Sequence, residues 1–210
     1  MGRPAKKHEA GFTYADYLKW PAGERWELID GQAYAMSPAP SNFHQLIVGE
    51  LFRQLANHFH DKLCRPFIAP FDVRLPHAVN DDQQIDTVVQ PDISVVCDPE
   101  KLKDNRGCLG APNWVIEVLS PGTAIHDQRT KRALYERHGV AEYWLVHPGD
   151  RSVTIYRLEA GLQAGVYGQS LVLGSEDDCV PQAFPELVIA VAEIFRDLPP
   201  QDDTLWLADA

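Results

Sequence analysis

The sequence predicts an α/β fold: a mixed β-sheet flanked by helices, with β additions at both ends. Three observations lead there. Phe43, Ile47, Leu51, Leu55 and Phe59 recur every three to four residues, as one long amphipathic helix requires. The nearly continuous apolar run over residues 113–120 suits a strand covered on both faces. A second helical stretch, residues 126–138, separates that run from further strand-like segments, and an order of helix, strands, helix, strands is that of a mixed sheet sandwiched by helices.

Taken in order, residues 1–11 form a short basic lead expected to be disordered. Thr13 is an N-cap residue in front of a brief helix. Residues 24–29 and 32–36 flank Asp30-Gly31, the dipeptide of a tight hairpin turn. A Pro-rich break over 37–41 precedes the long helix, expected to end near Leu63. Strands are then expected over 67–75 and 88–97, separated by the polar loop 77–86. A loop carrying Gly107 and Gly110 leads to the central strand, which Pro121-Gly122 ends, and Gly139 closes the helix that follows. Strands over 141–147 and 152–158, a strand pair over 161–173 and a short helix over 185–195 complete a single domain spanning 12–198, followed by an acidic tail, 199–210.

Composition narrows the function classes. With 45% hydrophobic and 23% charged residues in 210, the chain matches an ordinary globular domain. It has no apolar run of about 18 residues and no signal-peptide core, so a cytoplasmic location without membrane insertion is expected. Cys64, Cys97, Cys108 and Cys179 are widely spaced without a CxxC pair, and read as reduced thiols. The net charge of −11 argues against a nucleic-acid partner until its distribution is considered. From Ser175 onward there are nine acidic residues against one basic, so the remainder carries only −3. A local basic face around Arg129, Lys131, Arg132 and Arg137 is compatible with that balance.

Two carboxylates interrupt apolar strands: Asp92 in the segment from Val89 to Val96, and Glu117 in that from Trp114 to Leu119. A buried carboxylate needs a paired charge or a metal. On neighbouring strands the two could share a hard cation such as Mg²⁺ or Mn²⁺.

These residues, with Pro91-Asp92, Glu117-Val118-Leu119-Ser120-Pro121, the helical spacing Asp127, Lys131, Tyr135 and the run Gly139-Val140-Ala141-Glu142-Tyr143-Trp144, resemble the Uma-two family of restriction endonucleases, within the PD-(D/E)XK nuclease superfamily. The likeness extends to Trp26-Glu27-Leu28-Ile29-Asp30-Gly31, His44 and Phe71-Asp72-Val73-Arg74-Leu75. It implies a restriction-endonuclease-like fold and metal-dependent DNA hydrolysis, with Asp92, Glu117 and the carbonyl of Val118 holding the ion. The superfamily's lysine stands two residues after the glutamate, where this chain has Leu119, and the resemblance assigns that role to Lys131. The alternative is a nucleic-acid- or protein-binding module on the same fold that does not cleave.

Auxiliary candidates are Glu27, His44, Glu50, Asp72, Asp127 and Tyr135. Arg129 and Arg132 are candidates for phosphate contacts. DNA is the expected partner. A homodimer is expected because cutting both strands of a duplex is simplest with two related sites. Val166, Tyr167, Leu171 and Val172 are candidates for its interface.

Overall fold

The computed structural model describes residues 11–199 except 22, 37–39, 78–79 and 160–164. The expected lead as far as residue 10, the tail from residue 200, most of the Pro-rich break and the start of the late strand pair lie outside the described residues.

A single helical turn, α1 (Tyr14–Tyr17), follows Thr13, whose N–H donates to the Asp16 carboxylate. Strands β1 (Trp26–Ile29) and β2 (Gln32–Ala35) form the hairpin, with Asp30 and Gly31 both at positive φ. Helix α2 (Asn42–His58) is capped by Ser41, whose hydroxyl accepts from the His44 N–H. It ends before the expected Leu63, because Asp61 adopts a φ of 60° that a right-handed helix cannot continue.

Two strands expected to be single are each broken at a proline, which has no N–H to give to a ladder. The first splits into β3 (Arg65–Ile68) and β4 (Val73–Arg74) around Pro70. The second splits into β5 (Val88–Val89) and β6 (Ile93–Val96) around Pro91. Beyond a 3₁₀ turn (Pro99–Leu102) come β7 (Cys108–Leu109) and the central β8 (Trp114–Val118). The helix expected over 126–138 begins as a π-helical stretch (His126–Lys131) and becomes α3 (Arg132–His138), closed by Gly139 at φ 81°. Strands β9 (Glu142–His147), β10 (Ser152–Arg157), β11 (Leu171–Leu173), β12 (Asp178–Cys179) and β13 (Ile189–Ala190) follow. Of the terminal helix expected over 185–195, only α4 (Val191–Ile194) is helical, since β13 takes up the residues before it.

The strands form two main sheets, ordered β2-β1-β5-β4-β7 and β11-β10-β9-β8-β6-β3, with β12-β13 as a separate pair. Each proline break therefore passes the chain from one sheet to the other. In the larger sheet β8 runs parallel to β9 and antiparallel to β6, so the helical segment between β8 and β9 is a β-α-β crossover. Side chains alternate along β8: Trp114, Ile116 and Val118 pack on α2, while Val115 and Leu119 pack on the smaller sheet and α3. Glu117 shares the second face.

The cysteines depart from expectation. Arg65 pairs with Val96, which brings the preceding Cys64 beside the following Cys97, and the two are disulfide-bonded. A separation of 33 residues gave no sign of this cross-strand pairing. Cys108 and Cys179 are free and buried. No helix among the described residues is long and apolar enough to cross a membrane.

Gly107 sits at φ 93°, and a Cβ there would lie 2.1 Å from the Asp72 carbonyl oxygen. Gly139 is also left-handed but has nothing within 4 Å. Gly107→Ala should therefore destabilise by about 2 kcal/mol or more, and Gly139→Ala by about 1 kcal/mol. Urea unfolding of both variants checks the order; equal losses would contradict it.

Candidate active site

The break at Pro91 leaves Asp92 immediately before β6, and β8 carries Glu117 on the neighbouring strand. Each carboxylate holds a backbone N–H at or next to the other. Asp92 Oδ2 accepts from the Val118 N–H at 2.8 Å, and Glu117 Oε2 accepts from the Asp92 N–H at 3.3 Å. His44, in the first turn of α2, places Nε2 3.1 Å from Asp92 Oδ2. Burial disfavours a charged His44 ring, but Asp92 and the Val118 backbone outweigh that and raise its pKa.

Lys131 reaches the site from the crossover segment. The π-helical stretch turns both Asp127 and Lys131 inward, and the Lys131 side chain is only 6% exposed. Its Nζ lies 2.9 Å from Glu27 Oε1, 3.0 Å from Glu117 Oε1 and 3.6 Å from Asp127 Oδ1. Burial opposes the charge; Glu117, Glu27 and Asp127 together overcome it and hold the pKa well above the usual lysine value. Tyr135, one turn further on, donates to Glu117 Oε1 at 2.9 Å. Burial, reinforced by Glu117, keeps this phenol protonated. Asp127 is fixed by the Tyr143 hydroxyl, which donates to its backbone carbonyl.

Three carboxylates thus surround one ammonium, with Asp92 on the adjoining strand. Burial, only partly offset by Lys131, pushes Glu117 up to about 8, and Asp127 is raised for the same reason. Asp92 Oδ1 carries no hydrogen bond among the described residues. Asp92 and Glu117, on adjoining segments, offer the oxygen donors that a hard divalent cation prefers.

The other candidates divide. Glu27 is buried in the site, and its Oε1 also accepts from the Gln90 N–H. Asp72 stands outside, linked through Gln90, whose side-chain amide donates to it at 2.9 Å. Glu50 lies elsewhere on α2, bound by Arg53, Gln54 and Arg196. Arg132 pairs with Glu136 and stacks over Tyr156, whereas Arg129 is exposed. Leu119 is buried in the core.

Two neighbours escaped sequence reasoning. Gln90 joins Glu27, Tyr17 and Asp72, and its polar position beside Pro91 was the available signal. His126 lies with Nε2 3.9 Å from Glu27 Oε2 and its ring against Tyr34. No local pattern marks it.

A family model, Uma2, described as "Putative restriction endonuclease", matches residues 14–192. The chain belongs to the Uma2 family. It is 30% identical over 144 residues to the uncharacterized protein slr1290 of Synechocystis sp., covering 67% of this chain and 71% of that protein. Its fold is shared with the crystal structure of a "putative nuclease belonging to DUF820" from Anabaena variabilis, at a TM-score of 0.67 and 23% identity over 88% of this chain and 98% of the other.

The raised Glu117 pKa gives a stability prediction. A carboxyl group that titrates higher in the folded than in the unfolded chain stabilises the fold below its ordinary range, and that contribution is lost as pH rises through the folded value of about 8. In EDTA, Glu117→Gln should raise the melting temperature at pH 8 by roughly 2–4 °C or more, equivalent to about 1 kcal/mol, with a smaller gain at pH 5. A gain independent of pH would contradict this.

Proposed function

We propose that this Uma2 protein is a divalent-metal-dependent endonuclease that hydrolyses DNA phosphodiester bonds with Mg²⁺ or Mn²⁺. One observation carries the reading: the ammonium of Lys131 lies 3.0 Å from the Glu117 carboxylate, on the strand beside Asp92. Asp92, Glu117 and the Val118 carbonyl would hold the ion. When bound, a divalent ion supplies a water of lowered pKa and neutralises charge on the phosphate.

The chain's own residues divide the remaining tasks. Lys131, held protonated, presents positive charge to oxyanions that develop during phosphoryl displacement. Tyr135 fixes the Glu117 oxygen that Lys131 also contacts, so the carboxylate cannot rotate freely. His44 orients Asp92. Arg129 is the exposed cation available to a neighbouring phosphate, while Arg132 is already engaged.

Cleavage of plasmid DNA in Mg²⁺ or Mn²⁺ tests the reading. Asp92→Ala and Glu117→Ala should abolish cleavage and calorimetric Mn²⁺ binding, and Lys131→Met should lower the rate roughly 100-fold or more. Unchanged Mn²⁺ binding in both carboxylate variants would remove the metal assignment. A wild type that binds metal and DNA without cutting would replace it with a binding module.

The assembly we propose is a homodimer through the edge strand β11, where Leu171 and Val172 are 44% and 63% exposed. Val166 is exposed nearby, but Tyr167 is buried with its hydroxyl on the Val140 carbonyl and belongs to the core. Light scattering at micromolar concentration should give twice the chain mass, reverting to one chain in Val172→Asp. A wild-type monomer would refute this assembly.

A further inference from the structure

We infer that Tyr34 and His126 form a base-stacking wall beside the acidic site, so that the preferred substrate is single-stranded or locally unstacked nucleic acid. The inference rests on the nuclease reading and adds the class of substrate. Tyr34 pairs with Glu27 across the β1–β2 hairpin, and directly paired residues project from the same face of a sheet. Its ring therefore lies on the side of the sheet that presents Glu27 to Lys131. His126 closes the corner, with ring centroids 5.3 Å apart at an interplanar angle of 41°. Its Nε2 has no hydrogen-bond partner among the described residues.

Ile125, next to His126 in the chain, is 71% exposed, an apolar side chain left to water. Tyr34 and His126 together offer two tilted aromatic faces one carboxylate away from the ammonium. Every base has a π-face, so such a surface accepts bases without regard to sequence, but in a duplex those faces are covered by neighbours. The charge balance points the same way. Three carboxylates around one lysine, with Asp92 beside them, attract a phosphate backbone poorly, and stacking supplies affinity that counterion release does not.

The test is fluorescence anisotropy with the full chain in Ca²⁺, using a labelled oligonucleotide of about 16 nucleotides, single-stranded and as a duplex. The single strand should bind about tenfold or more tighter than the duplex. Tyr34→Ala and His126→Ala should each weaken single-strand binding by about 5- to 100-fold, while Tyr34→Phe stays within about twofold. In cleavage assays Tyr34→Ala should raise KM far more than it lowers kcat, a split that loss of packing does not produce. Thermal melts establish that the variants fold, and the two alanine variants are independent should one fail. Equal or tighter duplex binding, or a folded Tyr34→Ala protein with unchanged affinity, would overturn the inference while leaving cleavage by Asp92 and Glu117 intact. Tyr34-dependent single-strand binding without cleavage would sustain the stacking wall and remove the nuclease reading instead.

Discussion

The arrangement turns on one buried ammonium. Among the described residues Lys131 is the only lysine or arginine placed among Glu27, Glu117 and Asp127, and each of these comes from a different part of the chain: the hairpin, the central strand and the crossover segment itself. A buried carboxylate without a partner is costly, and here three of them compete for one partner. The smaller sheet, the larger sheet and the crossover helix can reach low energy together only in the register that brings all four groups to one point. The site and the packing of the layers are therefore a single constraint.

Asp92 reaches the site by a different device. Pro91 breaks the extended chain between β5 and β6, and Pro70 breaks that between β3 and β4. The two breaks meet, since the Ala69 N–H donates to the Asp92 carbonyl. At that crossing the backbone leaves one sheet and enters the other, which frees the Asp92 side chain to accept from the Val118 N–H on the next strand. Were β5 and β6 one regular strand, alternation alone would set its direction.

How much of this the sequence reveals depends on the scale of the signal. Asp92 and Glu117 stand out because each is charged inside an apolar run, and Asp127, Lys131 and Tyr135 because they share one helical face. The crossover is short, which favours turning that face toward the end of the central strand, and in the structure all three residues are buried. Glu27 reads ambiguously, since alternation in a hairpin does not say which face is covered. Glu50 misleads in the same way: it borders the apolar stripe of α2 but finds Arg53 one turn away. The strand breaks, the Cys64–Cys97 bond and the place of His126 depend on contacts between residues far apart in the chain, and no local period records them. The π-helical stretch is likewise hidden, because its residues also fit an ordinary helical pattern.

The unusual position of the lysine follows from the same geometry. Residues 117 and 119 share a strand face by parity, so a lysine at 119 would enter the space beside Glu117 from the strand itself. In this chain Leu119 fills that space and packs with the cluster that includes Leu134 and Val140, helping to seat α3 on the sheet. Seating α3 brings Lys131, one residue before its first turn, over the same carboxylate. The apolar residue at 119 and the ammonium at 131 are thus complementary: the first supports the helix that carries the second. The proposed chemistry calls for a positive charge near the Glu117 oxygens, and the fold can supply it from either element.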